Sequence, residues 1–258
     1  MLTKMIYPLS LREKISWRVQ RILPEANGTN IPLEFSKDIR LDLSKTDVGH
    51  RSIIYNGFYE LDLSKMMVRL ARQGGLMVDV GANYGYFSCL WASKRPGNSV
   101  IAFEASPVNI EPLRNNVRKN KLDDSITVIP LALGKEPGIL KFNLATENKQ
   151  TGWGGFTINN DSGSVEVKVD TLDNYARKNN IQKIDVLKID VEGADTWVLY
   201  GAKELLSEKR IRHIFFEQNI PRMDLLNIKR NEAGDFLREL GYVLQEKTPN
   251  EFYAYPGK

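Results

Sequence analysis

From Leu76 onward the apolar and polar positions repeat with a regular beat. Short apolar runs bounded by Gly, Pro, Asn or Asp alternate with stretches whose apolar residues recur every three to four positions. Runs at 76–80 (LMVDV), 99–104 (SVIAFE), 126–133 (ITVIPLAL), 183–190 (KIDVLKID) and 213–217 (HIFFE) predict buried strands. Helices are predicted at Tyr84–Lys94, Pro107–Asn120, 171–180, 194–207 and Glu232–Leu240, with Pro107 suited to a first turn. Period-two alternation at 138–144 and 164–170 predicts an antiparallel pair around a Gly/Asn/Thr-rich stretch, Thr146–Gly163. YVLQE (242–246) and EFYAY (251–255) predict a closing hairpin. Strands alternating with helices imply an α/β fold, a mainly parallel sheet covered on both faces.

Residues 1–75 carry weaker signals and read as an extension packed on a core formed by 76–258. Within the extension, Ser10 as N-cap and Glu13 three positions on form a capping box. Leu11, Ile15, Val19 and Ile22 then share one face of a helix that Pro24 stops. Such a helix either packs on the domain, closing over a cleft, or docks on a membrane surface or a partner through residues 10–23.

Composition narrows the class. The 258 residues, 42 % hydrophobic and 26 % charged, suit one large globular domain with an appendage and exclude a disordered chain. No run approaches the ~18 apolar residues of a membrane span. Cys89 is the only cysteine, so a reducing, cytoplasmic setting is expected. With only His50 and His213 beside it, a Cys/His zinc cluster is excluded. The net charge of +4 resides in residues 1–23, where five basic groups face Glu13 alone. The remaining body is neutral, which argues against a nucleic-acid partner.

The strongest local signal is VDVGANYGYFS (78–88). Gly81 and Gly85 permit a tight strand-to-helix turn and close backbone approach to a ligand. Glu104 ends the next strand, 25 residues after Asp79, where a carboxylate can accept both ribose hydroxyl protons of an adenosine. The order Asp79-x-Gly81-x-Asn83-x-Gly85 does not match the dinucleotide fingerprint. An acid at the turn repels a pyrophosphate and suits a ligand carrying an ammonium and a sulfonium, such as S-adenosylmethionine. A nicotinamide site and an unliganded loop are the alternatives.

The chain resembles the FkbM family of S-adenosylmethionine-dependent methyltransferases. The resemblance is carried by GFYE (57–60), VDVGANYGYFS, FEASPVNIEPLRNN (103–116), IPLALG (129–134), VDTLDNYA (169–176) and LKIDVEGADTWVLYGA (187–202). It implies the Rossmann-like class I methyltransferase fold, a seven-stranded sheet, and methyl transfer to a hydroxyl of a sugar, glycolipid or secondary metabolite. Glu60, Asp79, Gly81, Ala82, Asn83, Gly85, Glu104, Ala105, Ala132 and Asp190 are the expected cofactor residues. In an open parallel sheet the ligand lies at the carboxyl ends of the strands. That topology brings Asp190, Glu192 and Glu217 to one crevice, as acceptor-positioning groups, as general bases, or, for Asp190 and Glu217, as ligands of Mg²⁺ or Mn²⁺. His50 is a further candidate base and Lys188 a charge partner or base, while Tyr59 would line the pocket and His213 serve structure. Trp153 could stack on sugar C–H groups or pack locally. An Asn/Asp-Pro-Pro-aromatic run and a nucleophilic cysteine are both missing, which sets aside amino-group and C5 base methylation. RNA 2′-hydroxyl methylation and a non-catalytic cofactor-binding scaffold are the remaining alternatives.

Overall fold

The computed structural model describes residues 2–19, 27–145, 150–157 and 164–257. Its centre is a seven-stranded sheet. In spatial order the strands are β12 (Tyr242–Thr248), β13 (Glu251–Pro256), β11 (Ile211–Glu217), β10 (Ile184–Ile189), β3 (Leu76–Val80), β4 (Ser99–Phe103) and β5 (Ile126–Ile129). The five strands from β11 to β5 run parallel, and β13 pairs antiparallel with both β11 and β12. The expected closing hairpin is this β12–β13 pair. Val78, Leu187 and Ile214 are buried on one face and Met77, Val186 and Phe215 on the other, so the central strands read as continuous apolar runs. Helices α4 (Tyr86–Ala92), α5 (Pro107–Lys119), α6 (Leu172–Lys178), α7 (Asp195–Tyr200), α8 (Lys203–Ser207) and α10 (Glu232–Glu239) cover the two faces.

Three expectations need correction. The run 126–133 is two strands: β5 stays in the main sheet, while β6 (Ala132–Leu133) turns into a second sheet with β9 (Ser164–Asp170), β7 (Gly138–Asn143) and β8 (Gly155–Phe156). Pro130 lies at the break and cannot donate to a ladder. The helix expected at 194–207 is α7 and α8, split at Gly201, where a Cβ would lie 2.1 Å from the Gly134 carbonyl oxygen. The pair β7–β9 is antiparallel as expected; of the intervening stretch, 146–149 and 158–163 lie outside the described residues.

The third correction concerns the amino-terminal helix, α1 (Leu9–Val19). Ser10 lies inside it and caps nothing, because the helix already starts at Leu9. Glu13 instead accepts the backbone N–H of Leu61 at 3.2 Å, at the start of α3 (Leu61–Ala71). Leu11 is 45 % exposed, whereas Arg12 and Ser16 are fully buried. Ile22 and Pro24 lie outside the described residues. Arg12 anchors the helix. Its guanidinium donates to Glu34 Oε2 (2.7 Å), Asn56 O (2.9 Å), Lys4 O (2.7 Å) and Ile6 O (3.1 Å). Asn56 ends α2 (Val48–Asn56), and Glu34 follows the short strand β1 (Ile31–Pro32), which pairs with β2 (Arg40–Leu41). Leu33, Leu41, Ile54 and Phe58 then share one apolar cluster with Met77 and Trp91 of the core. No described helix is long and apolar enough to cross a membrane.

Removing one partner of a buried ion pair strands the other groups, so Arg12→Ala should lower stability by about 3–5 kcal/mol. Leu11→Ala, on the exposed face, should change it by less than about 0.5 kcal/mol. Urea unfolding of both variants checks this order.

Candidate functional site

The turn after β3 follows from steric need. Gly81 has φ +79°, and a Cβ there would lie 1.9 Å from the Asp190 carbonyl oxygen, so only glycine lets the turn pass against the end of β10. The N–H groups of Gly81 and Ala82 both donate to Phe103 O at 3.0 Å, which ties the turn to the end of β4. Glu104 is next in the chain and buried. Its Oε2 accepts the Asn83 N–H at 2.7 Å and its Oε1 the Ser106 N–H at 2.8 Å. Burial nevertheless pushes its carboxyl up to about 7.

A cavity of about 650 Å³ opens over these strand ends. Of the expected cofactor residues, Glu60, Gly81, Ala82, Asn83, Glu104, Ala105, Ala132 and Asp190 line it. Asp79 and Gly85 do not. The Asp79 carboxylate points beneath the turn, accepts from Ser88 Oγ at 2.6 Å and lies 3.6 Å from Lys188 Nζ. Gly85 faces Leu113, whose Cδ1 would lie 2.6 Å from a Cβ. Both residues stand behind the turn, outside the cavity lining. His213 points elsewhere, to the Tyr253 hydroxyl at 2.7 Å.

A strap crosses the cavity mouth. Gln150 accepts from the Val48 N–H at 2.8 Å and donates to Thr46 O at 3.0 Å. The Gly152 N–H donates to Asp47 Oδ2 at 3.1 Å. Arg222, on α9 (Ile220–Leu225), donates to Trp153 O at 2.7 Å. Trp153 lines the cavity and is half-exposed, as is Trp17 of α1. Trp17, Lys14, Asp47 and Gly152 are lining residues that the sequence reading missed. The charged and aromatic content of the first 50 residues hinted at Lys14, Trp17 and Asp47, and nothing hinted at Gly152.

On the other side, one oxygen each of Asp190, Glu192 and Glu217 lie within 4.8 Å of one another. Glu192 follows the end of β10 in a left-handed conformation (φ +54°), and Asn219 donates to its Oε2 at 2.6 Å. Burial and then the Asp190 charge push Glu192 up to about 7. Burial and then the neighbouring acids raise Glu60 and Glu217 as well. Asp195, unremarked in the sequence although it is the third acid after KI in IDVEGAD, is buried beside them and pushed up to about 7. Lys188 is the buried counter-charge, 3.2 Å from Asp190 Oδ2 and 5.2 Å from the Phe87 ring. The surrounding carboxylates raise its pKa against the cost of burial, so it stays an ammonium. His50 lines the cavity but is itself buried.

The turn, the acid at the end of the second core strand and the acids after the fourth follow the order of the motifs in one family, the methyltransferase FkbM domain, which matches residues 79–244. The chain belongs to that family. Hexuronic acid methyltransferase AglP of Haloferax volcanii is 27 % identical over 57 % of this chain and 58 % of its own length. The 31-O-demethyl-FK506 methyltransferase FkbM of Streptomyces tacrolimicus is 27 % identical over 57 % of this chain and 66 % of its own. The chain thus spans less than two thirds of either relative. The solved methyltransferase FkbM of Methylobacillus flagellatus superposes on 95 % of this chain and 59 % of that one, with a TM-score of 0.50 and 14 % identity. That likeness shows the fold, a seven-stranded class I methyltransferase sheet.

The raised acids have a consequence for stability. A carboxyl that titrates near 4 when unfolded and near 7 when folded stabilises the fold fully below its unfolded value, and that contribution is lost as pH rises through 7. Glu104, Glu192 and Asp195 all act in this direction. His50 and His213, whose pKa values burial lowers, act oppositely, but as two groups against five raised carboxyls. The ligand-free protein should therefore melt at lower temperature as pH rises from about 5 to about 8, and Glu192→Gln should flatten the slope. Thermal melts across that window test it.

Proposed function

We propose that this protein transfers a methyl group from S-adenosylmethionine to a hydroxyl of a sugar, glycan or glycolipid. The observation that carries the reading is the two-sided cavity: the Gly81–Asn83 turn and Glu104 on one wall, Asp190, Glu192 and Glu217 on the other. The residues present fit the cofactor, because Glu104 is already aimed by two backbone N–H groups and an acid-rich wall suits a sulfonium and an ammonium. S-adenosylmethionine, when bound, supplies a methyl group made electrophilic by its positive sulfur.

The chain's own groups would do the rest. Glu104 accepts the ribose hydroxyls and fixes the adenosine end. Glu192, held near neutrality, is matched to take the proton of an attacking hydroxyl. Glu217, kept protonated by burial and then by its acidic neighbours, donates a hydrogen bond to the acceptor, and Asp190 orients it from the end of β10. Trp153 and Trp17 offer aromatic faces to sugar C–H groups at the mouth. The hexuronic acid named for one relative supports a sugar acceptor. Three carboxylates this close would also hold Mg²⁺ or Mn²⁺, which would supply a lowered hydroxyl pKa.

Methyl transfer from labelled cofactor to a panel of sugars, glycolipids and small hydroxylated metabolites tests the reading. Asp190→Ala should cut turnover by about 10²-fold with cofactor affinity within several-fold. Glu104→Ala should weaken cofactor binding by roughly 2–4 kcal/mol, two charge-assisted hydrogen bonds less what water restores. Loss of activity in EDTA, restored by Mg²⁺, would assign the acids to a cation; insensitivity would leave Glu192 as the proton acceptor. Tight cofactor binding without turnover on any hydroxyl, or a product methylated on nitrogen or carbon, would overturn the proposal.

A further inference from the structure

His50 reads from sequence as a candidate base, yet both of its ring nitrogens are engaged. The backbone N–H of Ser44 donates to Nδ1 at 3.2 Å. A backbone amide can only donate, so Nδ1 holds a lone pair and the neutral ring carries its proton on Nε2. Nε2 lies 3.0 Å from Asn83 Oδ1, and the tautomer makes that contact an N–H···O bond. The Asn83 carboxamide is thereby oriented. Its oxygen is consumed by His50, and its Nδ2 is turned toward the strap, 3.1 Å from where a Cβ on Gly152 would stand. Asn83 itself sits at φ +50° with its N–H on Glu104, and both Asn83 and Gly152 line the cavity.

We propose that His50 is a positioning residue: as the Nε2–H tautomer it holds Asn83 with its amide N–H groups facing the cavity, ready to donate to the carboxylate of the bound cofactor's methionine part. This rests on the reading of the cavity as an S-adenosylmethionine site. Protonating the ring would set an Nδ1–H against the Ser44 N–H, so His50 would leave its seat and Asn83 would lose its orientation. The groups facing the ring are few. The Asp47 carboxylate accepts the His50 N–H from the helix cap at 3.0 Å and favours the charged ring. The Tyr84 ring lies 4.3 Å away, and Glu104 stands behind Asn83. Burial outweighs Asp47 and lowers the His50 pKa, which keeps the ring neutral at physiological pH.

Two measurements decide the matter. In the cofactor-free protein, ¹⁵N spectra of labelled histidine should show the Nε2–H tautomer and a midpoint below the ordinary value of about 6.5; an Nδ1–H tautomer would overturn the proposal. Calorimetry with S-adenosylhomocysteine then compares His50→Gln, whose amide N–H₂ falls where Nε2 was, with His50→Asn, which reaches only to the Nδ1 position. His50→Asn should weaken binding about ten-fold or more, the scale of one lost hydrogen bond to a charged group, and His50→Gln should restore most of it. Wild-type affinity should fall in two steps as pH drops, one set by Glu104 near 7 and one at the histidine midpoint, and only the second step should vanish in His50→Gln. Unchanged affinity in both variants with collapsed turnover would make His50 a base and refute the positioning role. A wild-type protein that binds no S-adenosyl compound would defeat the cofactor reading itself, a result distinct from a variant that binds as well as wild type.

Discussion

The ammonium of Lys188 lies 3.2 Å from Asp190 and 3.6 Å from Asp79, almost wholly buried between the two central strands. β10 and β3 pair in a register that sets Lys188 directly opposite Asp79. Around this one charge stand Glu60, Asp190, Glu192, Asp195 and Glu217, more carboxyls than it can neutralise. A buried charge is tolerated only with compensation, and here the compensation is incomplete. Burial first, and the excess negative charge second, raise the carboxyl pKa values of Glu60, Glu192, Asp195 and Glu217 along this wall. A site built this way is poised to receive positive charge, and the sulfonium and ammonium of the proposed cofactor would supply it.

The backbone carries a matching cost. Glu60, Asn83 and Glu192 are non-glycine residues in the left-handed region, and all three line the cavity. Asparagine visits that region readily, but glutamate does so at a price in stability of order 1–3 kcal/mol. Glu60 directly precedes α3, and Glu192 lies in the turn between β10 and α7. Strain and charge excess thus occur in the same residues, which is the pattern expected where binding, not folding, fixes the residue type.

What was legible in the sequence was what local rules determine. The turn at Gly81 announces itself because a tight strand-to-helix passage needs glycine, and Glu104 follows from the length of one strand–helix–strand step. Asp190, Glu192 and Glu217 were legible because acids directly after apolar strands must gather at one sheet edge. The orientation of Asp79 was not, because it depends on the Ser88 hydroxyl beneath the turn and on Lys188, a partner more than a hundred residues away. The burial of α1 through Arg12 was not legible either: its four acceptors come from residues 4, 6, 34 and 56, and helical periodicity contains none of that information. Pro130 was a visible break in the run 126–133 that the apolar pattern outweighed.

The stretch that matches the family begins at residue 79, yet Glu13, Lys14, Trp17, Asp47, His50, Tyr59 and Glu60 all line the cavity from before it. The extension is therefore part of the site's wall, not a packing appendage alone. Its attachment explains how. Arg12 fixes α1 to the end of α2, Glu13 caps α3 just after Glu60, and Asp47 together with His50 ties the cap of α2 to the strap and to the cofactor turn. The division of labour follows from where each wall originates. The matched core supplies the Gly81–Asn83 turn, Glu104 and the acid cluster, the groups on which the proposed methyl transfer rests. The extension supplies the charged and aromatic residues at the mouth, where an acceptor would be told apart from its competitors. Differences in acceptor among such enzymes should therefore track this first segment and the strap it holds, since a pocket discriminates through the groups that meet the variable part of its ligand.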